Sequence, residues 1–153
     1  MELLRNKQSK KKLTGLEIAN NALVLVGIIA FVVLVFYCIV TDVWLAVKIV
    51  VVCTVSFVAV TIFRKILNVQ RPQVEGAIYD KKTGESFPSR HTFSMMMIGL
   101  SWLNVNFLAG MIICGLTFVL GGIRIAMGAH KMGDIYGAIL IAITCAVAGY
   151  FFL

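Results

Sequence analysis

From Ile18 to Val40 the chain runs without a single charged residue. At about 1.5 Å of rise per residue, a helix of that length crosses the roughly 30 Å hydrocarbon core of a bilayer. The feature recurs. Val43–Phe63 carries only Lys48, and Phe107–Ile123 and Ile135–Leu153 carry no charge. A further apolar stretch begins near His91 and continues through TFSMMMIGLSWL. Backbone inside hydrocarbon must satisfy its own hydrogen bonds, which makes helices of segments like these. The expectation is an all-α integral membrane protein, a bundle of about five transmembrane helices. Short turns fall at Thr41–Asp42 and at residues 104–106.

Residues 1–17 read as a basic cytoplasmic tail and residues 18–153 as one transmembrane domain. The tail resembles the start of a signal peptide, but the apolar run behind it is too long and no small-residue cleavage site closes it. Leu3, Leu4, Leu13 and Leu16 would let the tail lie on the membrane surface. With 60% hydrophobic residues in 153, there is no room for a second, soluble domain. Cys38, Cys53, Cys114 and Cys145 all fall inside apolar runs, without metal-binding or CxxC spacing. They read as small buried hydrophobes.

The net charge is +7, carried mostly at the ends of the apolar runs. No basic face with interleaved aromatics appears, so nucleic acid is not the expected partner. Anionic headgroups or a phosphorylated substrate fit better. Lys48, near a helix end, is expected to snorkel to the interface.

Alternating helix direction brings the polar segment 64–90 and the loop 124–133 to the same membrane face. Arg64, Lys65, Arg71, Ser89 and Arg90 come from the first, with His91 directly after it; Arg124, His130 and Lys131 come from the second, with Asp134 directly after it. Guanidinium forks suit phosphate oxygens. Histidine serves as nucleophile or general acid near neutral pH. His130 and Asp134 are four apart, one helical turn, so the carboxylate can orient the ring. In FPSRH, Ser89 is placed to cap a helix whose first-turn N–H groups favour an anion. A binding or transport protein on the same scaffold, without hydrolysis, is the alternative. It would need the arginines but not His91, His130 and Asp134 together.

Three ordered pieces, RKILNVQRP, PSRH and IRIAMGAHKMGD, make the chain resemble the type 2 phosphatidic acid phosphatase (PAP2) superfamily, in its membrane lipid-phosphatase branch. That family carries a basic residue ahead of Arg-Pro, then Pro-Ser-Gly-His, then Ser-Arg followed by His and Asp. The resemblance implies that His130 is the nucleophile and forms a phosphohistidine, with Asp134 orienting it. It implies that His91 protonates the departing group, and that Arg71, Arg124 and the backbone near Ser89 and Arg90 bind phosphoryl oxygens. It implies no metal and no cofactor. The lipid could be an isoprenoid diphosphate such as undecaprenyl diphosphate, phosphatidic acid or phosphatidylglycerol phosphate.

The chain departs from the pattern in three places. The first basic residue is Arg64 by spacing, with Lys65 one place later. One residue turns a helix face by about 100°, so only one of the two can point inward. The glycine of the second piece is Arg90, and the serine before the third arginine is Ile123.

Positive-inside counting puts the amino terminus and the polar face in the cytoplasm. Thirteen of the fourteen Lys and Arg then lie on one side, leaving Lys48 near the other. A bacterial plasma membrane is the expected setting.

Overall fold

The structure is a computed structural model that describes residues 2–71 and 84–152, with side chains from residue 15 onward. Pro72, Lys81, Lys82 and the tail leucines Leu3, Leu4 and Leu13 lie outside the residues or side chains so described. Five helices follow one another: α1 Glu2–Thr41, α2 Val43–Leu67, α3 Arg90–Trp102, α4 Phe107–Ala126 and α5 Met132–Phe152. Among the described residues there is no strand.

Four segments are long and apolar enough to cross a membrane: Gly15–Thr41, Val43–Leu67, Phe107–Ala126 and Met132–Phe152. Their outer faces carry large apolar side chains such as Val32, Phe36, Trp44, Phe118 and Phe151, all exposed. A soluble protein rarely shows so much contiguous apolar surface. The fifth expected span, α3, has 13 residues, about 20 Å at 1.5 Å per residue.

α3 is surrounded by protein instead. Phe93, Met96 and Met97 pack with Val52 and Val60 of α2 and with Ile135, Ala138, Ile139 and Ala142 of α5. Met95, on another face, meets Ile113 and Leu120 of α4. A Cβ on Gly99 would lie 2.9 Å from the backbone nitrogen of Cys114. The α3 and α4 backbones therefore touch, as small residues allow in membrane bundles.

α1 begins well before the expected Ile18. Glu, Leu, Arg, Lys and Gln dominate its first turns and are strong helix formers, and no proline interrupts them. Hydropathy marks where a helix enters lipid and is blind to where the helix starts. The two polar turns act as caps. The Asp42 carboxylate accepts from Leu45 N at 3.1 Å, and Asn106 Oδ1 accepts from Ala109 N at 2.9 Å.

At this turn end, Lys48 is half-buried. Its ammonium donates to the Tyr150 carbonyl at 3.0 Å, in the last turns of α5. Of the cysteines, Cys38 is buried and the other three are partly exposed; all four are free.

Candidate active site

The polar end is assembled from four helix ends. Arg64, one turn from the end of α2, is buried at 3% exposure, and Arg124, in the last turn of α4, likewise at 3%. Lys65 is exposed. The one-residue rotation thus brings Arg64 inward and turns Lys65, also expected at the site, away from it.

The chain leaves α4 through a tight turn. Gly128 takes a positive φ of 70°, and Ala129 N donates back to Arg124 O at 3.0 Å. This turn delivers His130 just ahead of α5, with Asp134 in the first turn of that helix. His130 Nδ1 lies 3.3 Å from Asp134 Oδ2. The same oxygen accepts from Lys131 N at 3.0 Å and from the Ser86 hydroxyl. Asp134 is therefore fixed from three directions, and its backbone carbonyl also accepts from Ser89 N at 3.1 Å. With a carboxylate as partner, Nδ1 carries the proton, and Nε2 keeps its lone pair for an electrophile.

The arginines hold the loops together while lining the site. Arg64 Nη1 donates to Pro88 O at 3.0 Å, and its Nε sits 3.7 Å from the Glu85 carboxylate. Arg71 bridges two loops, donating to Gly84 O at 3.2 Å and to Ala129 O at 3.3 Å. Arg124 Nη1 donates to Asn20 Oδ1 of α1 at 2.9 Å. Ser89 occupies the N-cap position of α3 but its side chain caps nothing. Its hydroxyl accepts from Thr92 Oγ1 at 3.0 Å, so the expected side-chain cap is absent.

His91 opens onto a cavity of about 390 Å³ between α1, α2, α3 and α4. Arg90 and Ser94 line it near His91, and the remainder is apolar, including Val24, Ile28, Phe57 and Leu120. Loss of hydration on the protein side pushes the His91 ring down to about 4, and the charges of Arg124, Arg90 and Arg64 and the neighbouring His130 push the same way. Burial also lowers His130, helped by Arg124 and Arg71 and opposed by Asp134. Both rings are neutral at pH 7. Among the described residues, no group of three or more His, Cys, Asp or Glu is placed to hold a metal ion. Here guanidinium groups are the available positive charge.

Arg64, Arg71, Ser89, Arg90, His91, Arg124, His130 and Asp134 thus gather at one end, as the sequence leads one to expect. Three contributors were missed. Ser86 and Glu85 lie in a loop whose path the sequence does not reveal. Asn20 is buried at 3% within an apolar run; a polar residue there was the available signal.

Neither a protein-family model nor a curated protein sequence matches the chain. Among solved structures, the chain is similar to the crystal structure of LpxE from Aquifex aeolicus, with a TM-score of 0.69 and 19% identity. The match covers 89% of this chain and 86% of that one. At that identity the likeness establishes a shared helical fold.

Proposed function

We propose that the protein is a membrane lipid phosphatase working through a phosphohistidine at His130. The observation that carries this reading is the Asp134–His130 pair at 3.3 Å, facing a site lined by Arg64, Arg71 and Arg124. LpxE shares the fold; the proposed chemistry rests on this chain's own side chains.

His130 Nε2 attacks phosphorus while Asp134 stabilises the charge that builds on the ring. The three guanidinium groups hold the equatorial oxygens, which is where phosphoryl transfer concentrates negative charge. His91 faces the departing group. It then takes a proton from the water that hydrolyses the phosphohistidine, a role its neutral ring suits. Positive-inside counting supports a cytoplasmic site with the amino terminus on the same side.

Purified protein given a panel of lipid phosphates should release inorganic phosphate. Acid-labile, base-stable label from a radiolabelled phosphate substrate should appear on the wild type and not on His130→Ala. That variant should lose on the order of 10⁴-fold or more in kcat. A His130→Ala protein that folds and turns over normally would sink the assignment. A binding protein on this scaffold would retain lipid phosphate and release nothing.

A further inference from the structure

The cavity beside His91 bears on which lipid phosphate the site accepts. We propose that the substrate is a lipid diphosphate, and that Arg90 holds the lipid-proximal phosphate while His130 attacks the terminal one. This rests on the phosphatase reading above and narrows it.

In phosphoryl transfer the attacking and leaving groups are roughly in line. His91 and His130 are near enough to interact electrostatically; in the proposed arrangement the leaving group runs from His130 toward His91 and the cavity beyond it. That cavity is walled by Val24, Ile28, Phe57 and Leu120, yet Arg90 lines it beside His91. A monoester would set only an alkyl chain against this guanidinium. The ion would lose hydration without gaining an anion, which is costly. A diphosphate places its second phosphate there, and arginine's fork matches it. The PAP2 pattern that this chain resembles has glycine at this position, so the contact belongs to this chain's own sequence.

Leaving-group chemistry points the same way. His130 Nε2 forms a bond to the terminal phosphorus, and the bond from that phosphorus to the bridging oxygen breaks. The electron pair stays on the bridging oxygen, and a lipid monophosphate departs. Phosphate has a second pKa of about 6, so it leaves at neutral pH without a proton. A lipid alcohol, comparable to water at about 15.7, needs one. To supply it, His91 would have to be protonated against the neighbouring charges of Arg124, Arg90 and Arg64. Water then attacks the phosphohistidine, its proton passes to His91, and the N–P bond pair returns to Nε2. The products are inorganic phosphate and the lipid monophosphate.

The test uses the full chain in detergent with farnesyl diphosphate and farnesyl monophosphate, which share one tail. Wild type should favour the diphosphate at least about tenfold in kcat/KM, the worth of one charge-assisted contact. Arg90→Gln and Arg90→Gly should lower this ratio at least about fivefold, leaving the part that leaving-group chemistry supplies, and Arg90→Lys should keep an intermediate preference. Inorganic pyrophosphate should inhibit wild type at least about tenfold more tightly than inorganic phosphate, a measurement that needs no variant. Equal kcat/KM for both substrates, or a preference untouched in folded Arg90→Gln, overturns the proposal. Release from phosphatidic acid with no diphosphate preference would remove this inference and leave the phosphatase standing. Release from no lipid phosphate at all would remove both.

Discussion

The two ends of the bundle bury polar groups on opposite terms. At the turn end, Lys48 donates to the Tyr150 carbonyl, the Tyr150 hydroxyl meets Ser101 Oγ at 2.6 Å, and Ser101 donates to Met97 O at 2.7 Å. Cys53 Sγ approaches the same serine at 3.4 Å. Each group there is answered by a neutral partner or by a helix's last carbonyls, where a cation is stabilised. At the site end, four arginines and two histidines converge on two carboxylates. Asp134 is already committed to Ser86, Lys131 N and His130. The turn end is complete as it stands. The site end instead carries more cations than carboxylates, the electrostatic condition that the proposed phosphate-binding role requires.

Asn20 offers the sharpest way to break this contrast, because it is a buried neutral group acting at the charged end. It is a positioning residue for Arg124. Asn20→Leu should lower kcat/KM on the order of 100-fold, the size expected when a binding group is misplaced by about 1 Å. Asn20→Asp should hold Arg124 in place yet compete with phosphate. Its defect should therefore appear mainly as a raised KM, by about tenfold or more. Loss of fold alone would not separate KM from kcat between the two variants. Wild-type kinetics in Asn20→Leu would remove the positioning role given to Asn20.

A smaller effect is expected from pH. The folded state holds both histidines below the ordinary histidine value. A group with a depressed folded pKa binds more protons when unfolded, so acid favours unfolding. For His91 the window runs from the ordinary histidine value of 6.5 down to about 4. Thermal stability in detergent should be full above this window and decline as pH falls through it. The acid limb of kcat/KM should lie below 6.5, since His130 must be neutral to attack. An acid limb at or above 6.5 would mean that the His130 ring is more hydrated than its burial implies.

The smallest change is predicted at the other end. Tyr150→Phe removes one hydrogen bond to Ser101 and should destabilise by about 1 kcal/mol, with kcat/KM within about threefold of wild type. A large activity loss there would show that the two ends are coupled, and the contrast drawn above would fall.

Much of this architecture is legible in the amino-acid sequence. An uncharged run such as Ile18–Val40 has few options in water or lipid, so the helical membrane bundle follows from hydropathy alone. Helix parity brought Arg64, Arg71, His91, Arg124, His130 and Asp134 to one end, and the four-residue spacing paired His130 with Asp134. These are properties of one helix, or of the order of helices, and a linear pattern carries them.

Three things depended on packing across the bundle. α3 can be short because α2, α4 and α5 pack around it, so protein replaces lipid as its surroundings. Arg64 faces in and Lys65 out because the side chains lie about 100° apart around α2, and the core lies on one side of that helix only. Asn20 reaches Arg124 across 104 positions of sequence, and Ser86 reaches Asp134 across 48. Such contacts join residues whose separation along the chain carries no periodic signal. The folded geometry sets them, because a hydrogen bond forms only where donor and acceptor are brought within about 3 Å.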